Sequence, residues 1–344
     1  MFTNLLLNWF DENERCLPWR QTKDPYLIWV SEIILQQTRV VQGFDYYLRF
    51  VDRFPDLITL AAASEDEVLK YWQGLGYYSR ARNLLSAAKS IKGDFPKDYK
   101  EVLSLKGVGD YTAAAICSFA YDLPYAVVDG NVYRVLSRYF GLATPIDTAI
   151  GKREFAELAQ DLLDLSDPAR YNQAIMDFGA LQCKPKSPDC FACPLVESCI
   201  AFNEDSVAEY PVKRAKIKSR DRYFNYFFIE QGDFTYLRKR VANDIWKNLY
   251  EIPLIESEKE ATLKQVILAN KRHPLFTTAD NLEFKLEIEG MKHVLSHQNL
   301  YANFYSVTVN DDFKMDSSYI KVEISDLTDY AIPRLIDLIL ERYL

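Results

Sequence analysis

Apolar residues recur three and four positions apart from Phe2 to about Ala201, with Gly, Pro or Asp between the segments. That period gives each segment one buried side and predicts helices. Val30–Leu48, Glu65–Tyr71, Ala81–Ile91, Tyr111–Tyr121, Asn131–Tyr139 and Glu154–Leu163 have helix lengths, and no tandem repeat is visible. After Pro211 the pattern changes. Tyr223–Glu230, Phe234–Lys239, Phe304–Val309 and Tyr319–Ile324 are short β-branched and aromatic runs bounded by turn residues, which predicts strands. In Ile332–Leu344, Leu335, Ile336 and Ile339 form one helical stripe, expected to pack on the sheet. The pattern predicts an α+β multidomain chain: an all-α domain, then a smaller α/β domain beginning near Arg222.

Composition sharpens this picture in three places. At 344 residues the chain exceeds the usual single-domain size, and its 23 Tyr and 20 Phe exclude a disordered or fibrous class. No window approaches the roughly 18 consecutive apolar residues of a membrane helix. The start, MFTNLLLNWFDENER, is acidic where a secretory signal is basic, so a cytoplasmic protein is expected. The net charge of −8 sits awkwardly with phosphate binding, which leaves local patches as the only positive surfaces. One is Lys213, Arg214, Lys216, Lys218, Arg220 and Arg222, read either as a phosphate-facing patch or as a solvated linker.

Four of the six cysteines form Cys183-x6-Cys190-x2-Cys193-x5-Cys199, too clustered for a disulfide framework. Four soft ligands this close suit zinc or a [4Fe–4S] cluster, and spacing alone leaves the choice open. Lys184 and Lys186 fall between the first two, on a loop where they could meet phosphates. Cys16 and Cys117 stand apart and are expected to be buried small hydrophobes.

Leu105-Lys106-Gly107-Val108-Gly109-Asp110-Tyr111-Thr112 is a Gly-x-Gly turn leading into an Ala-rich helix. Gly107 and Gly109 let the backbone turn tightly and present amides to a phosphate, a clamp that needs little basic charge; a purely structural turn is the plainer alternative. Asp129, in Ala126-Val127-Val128-Asp129-Gly130-Asn131, follows an apolar run at a helix start, where it serves as an N-cap if nothing more. Glu32 is the single charge in the apolar run Trp29-Val30-Ser31-Glu32-Ile33-Ile34-Leu35. Burial there raises a carboxyl's pKa, as a general acid at neutral pH requires. One protonated and one ionised acid is the pairing that glycosidic cleavage uses.

Together these residues resemble the helix–hairpin–helix DNA glycosylases, specifically their adenine-removing, MutY-type branch. The resemblance rests on Leu17-Pro18-Trp19-Arg20, Ser31-Glu32 with Leu35-Gln36-Gln37-Thr38, Gly74-Leu75-Gly76-Tyr77-Tyr78, Leu105 to Thr112, Val128-Asp129-Gly130-Asn131 and the cysteine spacing. It covers residues 1 to about 210 closely. It implies a glycosylase domain over 1–205, with a six-helix subdomain at about 25–130 and an iron–sulfur subdomain from 1–24 and 131–205. A basic linker over 206–222 and a Nudix-like lesion-recognition domain over 223–344 would follow. The four cysteines would hold a [4Fe–4S] cluster.

The same resemblance implies the roles. Glu32 protonates adenine, Asp129 stabilises the oxocarbenium-like sugar, and Asn131 and Tyr111 hold the geometry. Arg15, Trp19, Arg20 and Gln173 line the pocket for a flipped adenine, which must leave the stack to be reached. Gln37 and Tyr77 wedge into the duplex, and Thr38 touches the damaged base. Tyr111 stands where endonuclease III-type relatives carry a Schiff-base lysine, which implies a monofunctional enzyme. In the second domain His293-Val294-Leu295-Ser296-His297 resembles a lesion-reading loop, with Ser296 and His297 contacting 8-oxoguanine; leucine replaces the family's phenylalanine, and a simple strand end is the alternative. Ile245 to Pro253 resembles the family's Trp-Glu-Phe-Pro region with Tyr250 in place of Trp, and no Nudix box is present. The expected partner is duplex DNA with an adenine mispair, met by a nucleoid-associated monomer whose linker could contact repair proteins. The competing readings are an endonuclease III-like pyrimidine glycosylase/lyase and a noncatalytic iron–sulfur DNA-binding protein.

Overall fold

The computed structural model describes residues 1–214, 219–271, 273–277 and 282–344. Lys216 and Lys218 of the expected basic patch lie outside the described residues. The chain divides into two compact units: Met1–Ala62 with Asn83–Lys216, and Ala63–Arg82 with Ile217–Leu344.

In chain order the first 214 residues form α1 (Phe2–Asn13), α2 (Pro25–Leu35), α3 (Val40–Arg53), α4 (Leu57–Ala62), α5 (Glu65–Tyr71), α6 (Ser79–Ser90), α7 (Tyr99–Ser104), α8 (Asp110–Tyr121), α9 (Gly130–Phe140), α10 (Ala149–Leu162), α11 (Pro168–Asp177) and α12 (Ile200–Asn203). A short 3₁₀ turn, Pro18–Arg20, follows α1, and a π-helical turn, Phe178–Gln182, continues α11. Such turns recur at functional sites because they re-aim the side chains of a helix.

Two helices of the first unit are buried nearly all round, which sets the surroundings of everything that follows. In α2, Asp24 caps the first turn by accepting from Tyr26 N–H, Pro25 fits the first helical position, and every residue from Ile28 to Ile34 is buried. In α8 every residue from Thr112 to Ala120 is buried, and its run of alanines lets it pack closely on α2 and α7. Around them Phe50, Phe54, Phe155 and Phe178 are fully enclosed, each worth roughly 1.5–3 kcal/mol of transfer free energy.

The expected single helix Val30–Leu48 is two helices. The chain breaks at Gln36–Arg39, where Gln37 takes a left-handed φ of 56° and Thr38 N–H bonds back to Leu35 O at 3.1 Å. Four consecutive polar residues leave no apolar side there to hold the helix together. Cys117 is buried as expected, but Cys16 is exposed. It sits in the link between α1 and the 3₁₀ turn, where Leu17 faces the core and its neighbour therefore faces out.

Among the described residues the second unit holds seven strands: β1 (Arg220–Glu230), β2 (Phe234–Lys239), β3 (Tyr250–Glu251), β4 (Leu254–Ser257), β5 (Phe284–Val294), β6 (Gln298–Thr308) and β7 (Ile320–Glu323). It also holds α13 (Leu263–Ala269), α14 (Pro274–Thr277) and α15 (Arg334–Tyr343). One sheet has the order β4-β1-β6-β5, with β1 and β6 parallel; the other has the order β3-β2-β7. Alternate residues of β1 enter different cores. Phe224, Tyr226 and Phe228 meet Leu335, Ile336, Ile339 and Leu340 of α15, as the C-terminal stripe predicts, while Phe227 and Ile229 meet Val266 and Leu275. Residues 63–82 group with this unit through Arg82 Nη1 to Lys247 O at 2.9 Å, Lys70 Nζ to Tyr330 O at 3.3 Å and the Lys239–Asp66 ion pair.

Arg222, expected in a solvated linker or phosphate-facing patch, is instead buried at the start of β1. It is held by Glu256 at 2.6 and 2.7 Å, Asp244 at 2.7 and 2.9 Å, and Gln298 at 3.1 Å. Its side chain points into the sheet between two carboxylates, so its charge is spent inside the unit. Among the described residues no helix is long and apolar enough to cross a membrane.

Candidate active site

A cavity of about 970 Å³ opens in the first unit. Glu32, Tyr111, Asp129 and Asn131 line it together with Arg15, Trp19, Arg20 and Gln173, and Gln37, Thr38, Lys184 and Lys186 stand on its wall. The sequence-expected acid, sugar-stabilising and base-pocket residues therefore share one space. Ser296, His297 and Tyr77 belong to the second unit.

Glu32 projects from a helix with almost no aqueous face and is 6% exposed. Burial pushes its pKa up to about 7. The Tyr111 hydroxyl, which donates to Glu32 Oε2 at 2.7 Å, opposes that rise, Asp129 adds to it, and Arg20 lowers it. Tyr111 also lies 4.0 Å from Met176 Sδ, and burial lifts its own pKa well above the ordinary phenol value.

Asp129 caps α9. Its Oδ1 accepts from Asn131 N–H and Val132 N–H, both at 2.8 Å, and its Oδ2 accepts from Asn131 Nδ2 at 2.7 Å. Burial raises its pKa, while these donors and the nearby Arg134 favour the ionised form. The extended run leading to it has no strand alongside among the described residues, yet two of its amides find side-chain partners. Ala126 N–H donates to Gln160 Oε1 and Val127 N–H to Asn172 Oδ1, each at 3.1 Å. Asn172, fully buried, also donates to Tyr125 O at 2.8 Å and Ser118 Oγ at 3.0 Å. Two side-chain amides thus do for this run what a neighbouring strand does in a sheet.

Three residues that brace the cavity wall and the cysteine loop escaped the sequence reading. Asp177, wholly buried, binds both Arg20 and Arg15. It lies one helical turn beyond Gln173, a spacing that could have drawn attention to it. Arg134, three residues after Asn131, donates to Asn131 Oδ1 at 2.9 Å, Gly179 O at 2.6 Å and Cys183 O at 2.7 Å. Arg138 donates to Lys184 O at 2.8 Å and to Cys183 Sγ at 3.4 Å. These arginines tie α9 to the cysteine loop. A Cβ on Gly179 would stand 2.6 Å from Asn131 Cβ, so only glycine lets the π-helical turn approach the Asp129 cap this closely.

Cys183, Cys190, Cys193 and Cys199 line a second, small apolar cavity with Arg138, Leu195 and Phe202. Among the described residues no three His, Cys, Asp or Glu side chains converge closely enough to hold a single metal ion. The softness of the four thiols and their shared cavity fit an iron–sulfur group.

The hairpin between α7 and α8 turns at Gly107, φ 85°, where a Cβ would meet Asn83 Cβ at 2.8 Å. Gly109 caps α8 with open space beside it. In the second unit Leu295 N–H bonds to Gln298 O at 2.8 Å, closing a tight turn between β5 and β6 with Ser296 and His297 exposed at its tip. Arg220 N–H holds His297 O at 2.9 Å, and the Tyr77 hydroxyl hydrogen-bonds Ser296 Oγ. Tyr77 is held at a left-handed φ of 46° after Gly76.

The HhH-GPD superfamily base excision DNA repair protein model matches residues 30–161, and a NUDIX domain model matches residues 225–342. The adenine DNA glycosylase of Buchnera aphidicola subsp. Schizaphis graminum is 32% identical over 356 residues, covering 100% of this chain and 99% of that protein. The chain belongs to the adenine DNA glycosylase family. The human adenine DNA glycosylase is 39% identical over 213 residues, which are 58% of this chain and 39% of that one. Among solved structures, a thermostable thymine-DNA glycosylase aligns with 59% of the chain and 95% of its own at 30% identity and a TM-score of 0.55. A non-covalent endonuclease III–DNA complex, 21% identical with a TM-score of 0.52 over 59% of this chain and 94% of that one, shares the helical fold.

Proposed function

We propose that the protein is a monofunctional DNA glycosylase that takes an adenine mispaired with 8-oxoguanine or guanine out of a duplex and hydrolyses its N-glycosidic bond. The observation that carries this reading is the pair of acids on one cavity: a buried carboxyl with a pKa of about 7 and a second carboxyl held by three donors. At neutral pH the first can deliver a proton to a ring nitrogen of adenine, making the base a neutral leaving group. The second, in its ionised form, faces the positive charge that develops on the sugar. Water then completes the hydrolysis at the sugar carbon.

Tyr111 lines the same cavity and donates to Glu32, and it has no amine, so no Schiff base forms and the strand stays uncut. Arg15, Trp19, Arg20 and Gln173 frame the space for the base. Gln37 and Thr38 at the cavity, and Tyr77, Ser296 and His297 in the second unit, are the candidates for opening the duplex and reading its lesion. Gly107 and Gly109 offer backbone amides to a phosphate without adding basic charge, which suits so acidic a chain. Cys183, Cys190, Cys193 and Cys199 would hold a [4Fe–4S] cluster, which would brace the loop carrying Lys184 and Lys186.

The test is to incubate the protein with duplexes that differ only in the base opposite adenine and to measure adenine release. Release opposite 8-oxoguanine and guanine, with no strand cutting until alkali is added, is expected. Cutting without alkali, or base release from oxidised pyrimidines instead, would replace this reading with that of a lyase.

A further inference from the structure

Asp177 ends α11, is wholly buried, and carries two guanidinium groups at once. Arg20 grips it with both Nη atoms, to Oδ1 and Oδ2, each at 2.7 Å. Arg15 adds Nε at 3.0 Å and a second contact through Nη2. Burial alone would raise the carboxyl's pKa, but the bonds from Arg20 and Arg15 hold it below the ordinary carboxylate value, so it is ionised at neutral pH. Arg15 and Arg20 both line the cavity that contains Glu32. Two cations beside a general acid would draw its proton off. Tyr111 from α8, Asp129 at the start of α9 and Arg20 from the 3₁₀ turn act on Glu32, Arg15 stands on the same cavity wall, and Arg134 acts in turn on Asp129.

We propose that Asp177 is a positioning residue that fixes Arg15 and Arg20 in place and cancels one of their two charges, so that the acid at Glu32 faces one net positive charge rather than two. This rests on Glu32 acting as the acid. The fork on Arg20 supports it, because both Nη atoms are engaged by the carboxylate and the guanidinium is thereby fixed on the cavity wall. A carboxylate that served the fold alone would leave the acid's titration unchanged when it was altered.

The experiment is the pH dependence of single-turnover adenine release at saturating protein, for the wild type, Asp177→Asn, Arg20→Gln and the double variant. The rate falls as pH rises and Glu32 loses its proton. The Arg15–Arg20–Asp177 group carries one positive charge in the wild type, two in Asp177→Asn, none in Arg20→Gln and one again in the double variant. The fall should therefore move by about one pH unit to lower pH in Asp177→Asn, move to higher pH in Arg20→Gln, and return near the wild-type position in the double variant. The same midpoint in every variant, or an upward move in Asp177→Asn, would overturn the inference. If Asp177→Asn alone does not fold because it leaves the buried Arg20 charge uncompensated, the double variant, which removes both halves of that pair, is compared with Arg20→Gln and still decides. Glu32→Gln runs alongside: adenine release by that variant sinks the acid role itself, whereas an inactive Glu32→Gln with immobile midpoints sinks only the role of Asp177.

Discussion

Tyr111 donates its hydroxyl hydrogen to Glu32 Oε2 across 2.7 Å, so the phenol stabilises the charged form of the very carboxyl that burial drives toward neutrality. Removing that donor with Tyr111→Phe leaves burial less opposed and should raise the Glu32 pKa above about 7. A hydrogen bond to a charged group is worth about 1.5 kcal/mol, which is about one pH unit. The basic limb of the pH–rate profile for adenine release should move up by that amount. A limb that stays in place or moves down would show that the phenol does not tune the acid.

Asp129→Asn separates the cap from the chemistry. Asparagine caps a helix about as well as aspartate, so the melting temperature should hardly change. The developing sugar cation would lose its countercharge in a dry site, and adenine release should fall by about two orders of magnitude or more while duplex binding persists. Melting curves, duplex binding and single-turnover release on one preparation check all three. A variant that melts normally and excises normally would confine Asp129 to capping.

Much of this site was legible because its chemistry interrupts a pattern. Glu32 stands out as one charge in an apolar run, Asp129 ends another such run, and the four cysteines are dense. Asp177 and Arg134 were hidden for the opposite reason: each sits in an amphipathic helix, where a charge ordinarily faces water, and only the fold supplies the partners opposite. The same limit explains β5. Its Lys285, Glu287 and Glu289 alternate with Phe284, Leu286 and Ile288 as an edge strand requires, but so many charges resemble a surface loop. The break at Gln36–Arg39 was missed because apolar residues resume at Val40 in helical spacing, and periodicity alone does not register a left-handed Gln37.

Asn172 offers a prediction about delivery of the acid. In Asn172→Ala the buried Val127 N–H and Tyr125 carbonyl lose their side-chain partner, at about 1–3 kcal/mol for each orphaned group. Denaturant unfolding should show a loss of about 2–6 kcal/mol. The run that places Asp129 would then relax, so adenine release should fall further than duplex binding. Equal losses in release and binding would confine Asn172 to stability.

Ser296 and His297 protrude from the turn between β5 and β6, and Tyr77 hydrogen-bonds the serine. Hydrogen bonds to a lesion matter only when the lesion is present. Ser296→Ala with His297→Ala should therefore cost about tenfold against adenine opposite 8-oxoguanine, from about 1 kcal/mol or more of lost bonding. Adenine opposite guanine should be nearly unaffected. An equal loss on both substrates would return this turn to a structural role.

Tyr111 is also the position at which a glycosylase could become a lyase. It lines the cavity with Glu32 and Asp129, so Tyr111→Lys should bring a primary amine toward the sugar carbon that loses its base. The neutral amine attacks that carbon and forms a Schiff base, after which elimination cuts the strand. Two carboxyls nearby favour the protonated, unreactive amine, so cutting should be weak and should increase with pH. The substitution also removes the donor to Glu32, and an ammonium there would lower the acid's pKa, so adenine release should be slower than in the wild type and should set the ceiling on cutting. Borohydride trapping of a protein–DNA adduct reads the amine directly. Adenine release without a trapped adduct at any pH would mean that residue 111 does not face the sugar.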